Sequence, residues 1–401
     1  MTNGDPGSGP HPGRWRLVRW AASSATLGFP QAAAPVAFAL LAVSLGGAAS
    51  GGAAMILAMT LAQVAGALPL TRLGRALPMA TFLKLLLAAR TAALVAIALG
   101  AAFGMSLPGL IALAAAAGLV NGAAAGTLRA VLNQFAPVSG MSRALGIAAT
   151  LNELTFVAAP VVASGLGSVS PVFGIVAMAA VGALPALLIP NLGPAVAPNE
   201  IPRDRKSILT PSILLWLACT AAGGATVAAV EIGAVALALS FGYEPALAIL
   251  FTVPLCLASV AGGIWVSVRN RRPSRRTVMV LLIVMCAGSA LVAAGLSVTA
   301  TLAGAVLIGL VLAPLATHYS LILDTLAPPH RRPEVFALMR TANACGVILA
   351  SALLTAASLP TALLVITGVM VAATVAVSMA GVRGRDRSAA RVGGAGKSGD
   401  G

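Results

Sequence analysis

Glu153 is an acid in a run that is otherwise apolar, flanked by Leu151, Leu154, Phe156 and Val157 and about ten residues past Arg143. Ten residues of helix rise about 15 Å. If the run crosses a bilayer, the carboxyl lies near the middle, where a charge must be neutralised, paired or hydrated. Such an acid can serve as a proton-exchanging group, or as a structural carboxyl hydrogen-bonded to a neighbouring helix. Glu231 sits in the second half of its own apolar run, as an exit-side proton or cation site or as a hydrated acid near an interface. His318, beyond Pro314, is a side chain whose charge can change near neutrality, or a hydrogen-bonded helix contact. Arg90 is the one base outside the basic clusters; it can face Glu153 or an anionic ligand, unless its long stem snorkels to the membrane surface. Gln31 beside Pro30, Asn121, Asn152 and Asn343 are uncharged, and amides in apolar helices more often join helices than bind ligands. Arg129, Asp324 and Arg340 lie near the ends of apolar runs, where ion pairs and simple anchoring are both open.

Chemistry of other kinds is missing from the sequence. There is no Gly-rich phosphate loop ending in Gly-Lys-Ser/Thr, no Gly-x-Ser-x-Gly, no HExxH and no repeated acidic metal-binding loop. Cys219, Cys256, Cys286 and Cys345 each stand alone in an apolar run, which indicates neither a disulfide framework nor a zinc site. No enzyme activity, metal or cofactor is expected.

The elements that carry these residues follow from composition. Of 401 residues, 59% are hydrophobic and only 9% charged, with a mean hydropathy of +0.98. A soluble domain carries about 25% charged residues, so a soluble fold is excluded, and a disordered chain needs the opposite composition. With aromatics at 4%, a membrane barrel with aromatic girdles is disfavoured. An all-α polytopic membrane protein remains, with the lipid bilayer as its solvent. The net charge of +15 does not indicate nucleic acid, because the bases fall into short clusters between apolar stretches, as cytoplasmic loops do. The predominance of Arg over Lys and the abundance of Ala and Gly fit a GC-rich bacterial genome. The run from Trp20 to Leu45 is too long for the apolar part of a cleaved signal and reads as a first transmembrane helix.

All but one of the 25 Lys and Arg fall into seven clusters, and each interval between clusters has room for two helices and a turn free of Lys and Arg. Twelve transmembrane helices follow, at 18–44, 51–71, 79–102, 107–132, 143–166, 170–190, 212–241, 245–268, 278–297, 300–325, 335–357 and 360–381. Both termini are expected in the cytoplasm. The chain divides into a disordered tail (1–13), a six-helix bundle (14–190), a cytoplasmic linker (191–211), a second six-helix bundle (212–382) and a disordered basic tail (383–401).

The two bundles are an internal repeat. At an offset of 191, Gly118-Leu119-Val120 matches Gly309-Leu310-Val311, Thr150 matches Thr341 and Asn152 matches Asn343; at 196 to 197, Trp20 matches Trp216, Gly66 matches Gly263, Arg72 matches Arg269 and Arg75 matches Arg272. Copies six helices apart enter the membrane in the same direction and are related by an axis along its normal, a symmetry that places a site at mid-membrane between two halves.

Over residues 14–382 the sequence resembles the major facilitator superfamily. Thr71-Arg72-Leu73-Gly74-Arg75 resembles that family's Asp-Arg-x-Gly-Arg loop signature, with Thr71 in place of the acid, and Arg269 to Arg276 resembles its second copy. In the fifth helix, Gly146, Thr155, Ala159 and Pro160 hold the spacing of the family's antiporter motif. Asn121-Gly122-Ala123 resembles the end of its fourth-helix motif, with Gly118 where an arginine is expected. The resemblance implies two pseudo-symmetric six-helix bundles and a monomeric transporter in a bacterial inner membrane. It implies proton-coupled efflux of a small apolar or amphipathic substrate, driven by the proton gradient. Arg72, Gly74, Arg75, Arg269 and Arg272 would form its gating loops, and Gln31 and Asn121 would lie in cavity-lining helices. A solute importer of the same fold is the alternative; a non-transporting lipid-modifying enzyme or sensor lacks the long loops it would need.

Overall fold

The computed structural model describes residues 12–45, 50–134, 136, 140–189, 208–243, 247, 249–271 and 274–395. Arg272, the linker as far as residue 207, and residues 1–11 and 396–401 of the expected tails lie outside the described residues. Twelve helices among the described residues are long and apolar enough to cross a membrane, with span hydropathies from 1.5 to 2.5. They are α1 (Pro12–Ser44), α2 (Ser50–Leu73), α3 (Met79–Ala102), α4 (Leu107–Leu132), α5 (Met141–Val169) and α6 (Pro171–Leu188). The second six are α7 (Pro211–Ser240), α8 (Ile249–Arg269), α9 (Arg275–Ala294), α10 (Val298–Leu326), α11 (Arg332–Ala356) and α12 (Leu359–Ala395). The helix of α12 continues past its apolar span, Leu359–Ala380, into the Gly- and Arg-rich stretch that composition reads as disordered.

Local chemistry sets the boundaries. Pro108, Pro171 and Pro211 stand in the first turns of α4, α6 and α7, where a missing N–H costs nothing. The side chains of Thr210 and Ser274 accept from the backbone N–H of Ile213 and Thr277 to cap α7 and α9. Gly104 and Gly295 take left-handed φ values of 74° and 57° in the turns that follow α3 and α9. These two glycines are also 191 residues apart.

Contacts group the chain into two compact units: Met1–Ile208 with Val260–Arg272 and Ser320–Ala344, and the remaining residues from Leu209 onward. The first holds α1 to α6 together with the Arg-rich ends of α8, α10 and α11. In it α1 packs on α5 and α6, α2 on α4, and α3 on α6, around fully buried Phe38, Leu41, Met55, Leu94, Ile97 and Met178. Because lipid tails are as apolar as these side chains, helix association here rests on close packing. Gly118 is the clearest case: a Cβ there would strike the Met59 carbonyl of α2.

In the second unit α12 packs on α7 and α9, tied by Ser289–Thr367 and Cys286–Thr374 hydrogen bonds, around Phe251, Leu282, Ile308 and Met370. A Cβ on Gly309 would strike the Leu255 carbonyl of α8. Gly309 is the repeat counterpart of Gly118, and Leu255 lies 196 residues after Met59. The same helix crossing is therefore built twice. Trp20 and Trp216 repeat it elsewhere: the Trp20 indole donates to the Leu128 carbonyl at 2.8 Å, and Trp216 packs 5.8 Å from Tyr319, 191 residues after Leu128.

Candidate functional site

The first unit gathers its charged residues at the Arg-rich helix ends. A turn of 3₁₀ helix, Gly74–Ala76, follows α2. Gly74 is buried against the Phe82 ring, which leaves no room for a side chain and brings the turn close to α3. The turn presents Arg75, which donates to Glu334 Oε1 of α11. Arg72 Nε lies 3.6 Å and Arg331 Nη2 3.4 Å from the other carboxylate oxygen. Glu334 is 1% exposed, so its charge is stable only with these guanidiniums in place. Thr71, standing where the resemblance calls for an acid, turns its hydroxyl back to the Ala67 carbonyl at 2.8 Å. The carboxylate of this seam comes instead from α11.

A second seam joins α5 to α8. Gly146 lets α5 approach Gly263 and Ser267, and Gly263 in turn faces Thr150. Arg143 donates its backbone N–H to Asn270 Oδ1 at 2.9 Å and its Nε–H to the Ser267 carbonyl at 3.2 Å. Arg269 lies over the Trp265 ring, 5.4 Å from its centroid.

Between the seams α4 meets α10. Arg129 Nε–H donates to Ser320 Oγ at 2.6 Å, and Asn133 Nδ2–H donates to Asp324 Oδ1; both pairs are 191 residues apart. Each residue thus touches its own repeat counterpart, which only residues on the pseudo-two-fold axis can do. The guanidinium of Arg129 also lies 4.4 Å from the Phe336 ring centroid, and Arg332 pairs with Asp324 at 3.3 Å. About this axis the α2–α11 and α5–α8 seams are counterparts.

Deeper in the first unit, Arg90 is 2% exposed. Its guanidinium does not snorkel: it donates to the carbonyls of Leu27 at 3.0 Å and Gly182 at 2.6 Å and to Asn121 Oδ1 at 3.2 Å. Asn121 opens the second helical run of α4, after a break at Val120. Gly182 leaves the space that Arg90 occupies. The arginine joins α1, α4 and α6 through two backbone carbonyls and one side-chain amide oxygen.

The remaining sequence candidates are distributed as follows. Glu153 and Asn152 are half-buried on α5, with Asn152 Oδ1 against Gly28 of α1. Ala159 is fully buried, Pro160 lies inside α5, and the Thr155 hydroxyl donates to the Leu151 carbonyl at 2.9 Å. Gln31 accepts from Arg340 Nη2 at 2.9 Å, which draws Arg340 toward mid-span rather than to a helix end. Asn343 is half-buried on α11. In the second unit Glu231 is exposed on α7, and His318 stands edge-on to Trp216 at 5.1 Å. The described residues contain no group of three or more His, Cys, Asp or Glu able to hold a metal ion. Sequence reading missed Glu334, although the 191-residue offset pairs it with Arg143, a reversal of charge between matched positions.

Among solved structures the chain is similar to a bacterial homologue of the iron transporter ferroportin in an outward-facing state, at 15% identity, covering 92% of this chain and 98% of that one, with a TM-score of 0.78. It is similar also to the human organic anion transporter MFSD10 (TETRAN), at 14% identity over 91% and 99% of the two chains, with a TM-score of 0.71. The E. coli fucose:proton symporter FucP matches at 15% identity over 91% and 98%, with a TM-score of 0.64. At such identities the likeness is one of fold. No curated protein matches the sequence significantly. The family model of the Major Facilitator Superfamily matches residues 20–351. With that match over most of the chain, and twelve membrane-length helices carrying a twofold repeat, the protein belongs to the Major Facilitator Superfamily and is a multi-pass membrane transporter of small molecules rather than an enzyme.

Proposed function

We propose that the protein is a proton-coupled exporter of a small amphipathic compound in a bacterial inner membrane, with the Arg-rich helix ends on the cytoplasmic side. The observation that carries this reading is the closed seam of Glu334 with Arg72, Arg75 and Arg331. It fastens the start of α11 to the end of α2 through side chains alone, so it can open without unfolding a helix, as a transporter of alternating access requires. The orientation is supported by the clustering of bases on one set of loops. Proton coupling is assigned to Glu153, half-buried in the helix that carries the small-residue ladder. Export is supported by that ladder, in which Gly146 and Ala159 allow α5 its close contacts.

Extrusion of a fluorescent dye from cells with and without the gene, repeated after collapse of the proton gradient, tests the direction and the coupling. The Glu153→Gln variant keeps shape and most hydrogen bonding while removing the titration. It is expected to bind the dye and to lose gradient-driven extrusion by about a hundredfold or more, the lower end of what a positioned proton-transfer group contributes. Gradient-driven transport at the full rate in reconstituted vesicles of this variant would contradict the assignment.

A further inference from the structure

Arg340 differs from the other deep arginine. Arg90 is sealed in, its two terminal nitrogens bonded to two carbonyls and an amide oxygen. Arg340 is half-buried, and among the described residues its one hydrogen bond is to the neutral Gln31 Oε1. No acid among the described residues forms an ion pair with it. It lies eight residues past Arg332 on α11, and Gln31 twelve past Arg19 on α1, or about 12 and 18 Å along their helices. The pair is therefore near mid-membrane. A guanidinium has five N–H donors, and a membrane-depth cation matched only by a neutral oxygen is expensive unless an anion joins it.

The groups around it favour the same ligand. Asn343 lies three residues on, on the same face of α11. Asn152 of α5 faces α1 at Gly28, one turn before Gln31. Both amides are half-buried. Amide NH₂ groups beside a guanidinium suit a carboxylate, which Arg can hold with two parallel bonds. One cation among three neutral amides matches one negative charge.

We propose that Arg340, with Gln31, Asn343 and Asn152, binds the anionic head of the cargo, so that the transported compound is an amphipathic organic anion of single charge, such as a monocarboxylate. This rests on the transporter reading above but specifies its substrate class. The test uses the full-length protein in lipid nanodiscs and three probes that share a tail: phenylbutyrate, phenylbutanamide and phenylbutylamine.

Phenylbutyrate is expected to bind at least about tenfold more tightly than the amide or the amine, as a charge-assisted bidentate pair would give. Arg340→Gln should reduce phenylbutyrate to the level of the amide, and Arg340→Lys should retain part of the preference. Gln31→Glu supplies an internal carboxylate; it should raise the thermal midpoint of the ligand-free protein and weaken phenylbutyrate binding. That arm needs no ligand, so it decides the matter if no probe binds measurably. Equal affinities for the three probes, a carboxylate preference that survives Arg340→Gln, or a lowered midpoint in Gln31→Glu would overturn the proposal. The transport reading fails separately: phenylbutyrate bound through Arg340 but moved by no gradient in vesicles would leave the anion site and remove transport, whereas charge-blind binding with gradient-driven dye transport would do the reverse.

Discussion

The α2–α11 and α5–α8 seams descend from one duplicated arrangement, yet they are held by different forces. At the first, Glu334 sits buried among Arg72, Arg75 and Arg331. At the second, its counterpart is Arg143, which bonds an amide oxygen and a backbone carbonyl on either side of Arg269. Geometry was retained in duplicate while the charge was inverted. A buried carboxylate whose partners are pulled away becomes a costly uncompensated charge, whereas an exposed arginine released from a carbonyl is simply hydrated. The first seam should therefore behave as a switch with a high threshold and the second as a soft contact.

Removing the carboxylate should have the largest effect. Glu334→Gln leaves three guanidiniums facing a neutral amide and is expected to weaken closure of the α2–α11 seam by about 3–5 kcal/mol. In a background without native cysteines, Ala337→Cys reports this, because Ala337 is fully buried against Gly126; its labelling by a water-soluble maleimide should rise by two orders of magnitude or more. Unchanged labelling would show that the ion cluster does not hold the seam.

Next in size is the pair Gly118→Ala and Gly309→Ala, which asks whether the duplicated cores are equivalent where the seams are not. Each added methyl strikes a carbonyl of the neighbouring helix and should cost about 1–3 kcal/mol, read as similar losses of thermal stability. A loss confined to one variant would mean that the two halves have diverged in packing as well as in charge.

The smallest effect is expected from Arg143→Ala. It removes the side-chain bond to the Ser267 carbonyl but keeps the backbone bond to Asn270, at a cost of about 1 kcal/mol. Labelling of a cysteine at Ser267, introduced in the same background, should change severalfold at most.

Much of the fold was legible from the sequence because the membrane imposes a simple rule. Apolar runs of fixed length between Arg clusters give the twelve apolar spans to within a few residues of those observed, while α12 runs on as helix beyond its span and Gly295, inside the ninth helix by sequence, forms the turn after it. The repeat was visible in Gly118/Gly309 and Trp20/Trp216, which the structure places in matching helix contacts. The site was less legible. Glu334 sits two residues from Arg332, so by sequence it merges with a basic cluster and looks like an ordinary surface charge; only tertiary contact with the α2 turn buries it. The depth of Arg90 could be read from its position, but its partners could not, because they are two carbonyls and an amide that tertiary packing brings from other helices. Arg340 was assigned to a helix end by its nearness to the basic cluster, and its long side chain instead reaches Gln31.

The central claim is that closure at the Arg-rich end depends on Glu334 and hardly on its counterpart Arg143. Spin labels at Leu73 and Thr325, both exposed at that end of the first unit, allow electron–electron resonance distance measurements in nanodiscs for the unaltered protein, Glu334→Gln and Arg143→Ala. The account predicts a new, longer-distance population in Glu334→Gln and a distribution in Arg143→Ala that overlays the unaltered protein. Equal changes in the two variants, or a larger one in Arg143→Ala, would contradict it.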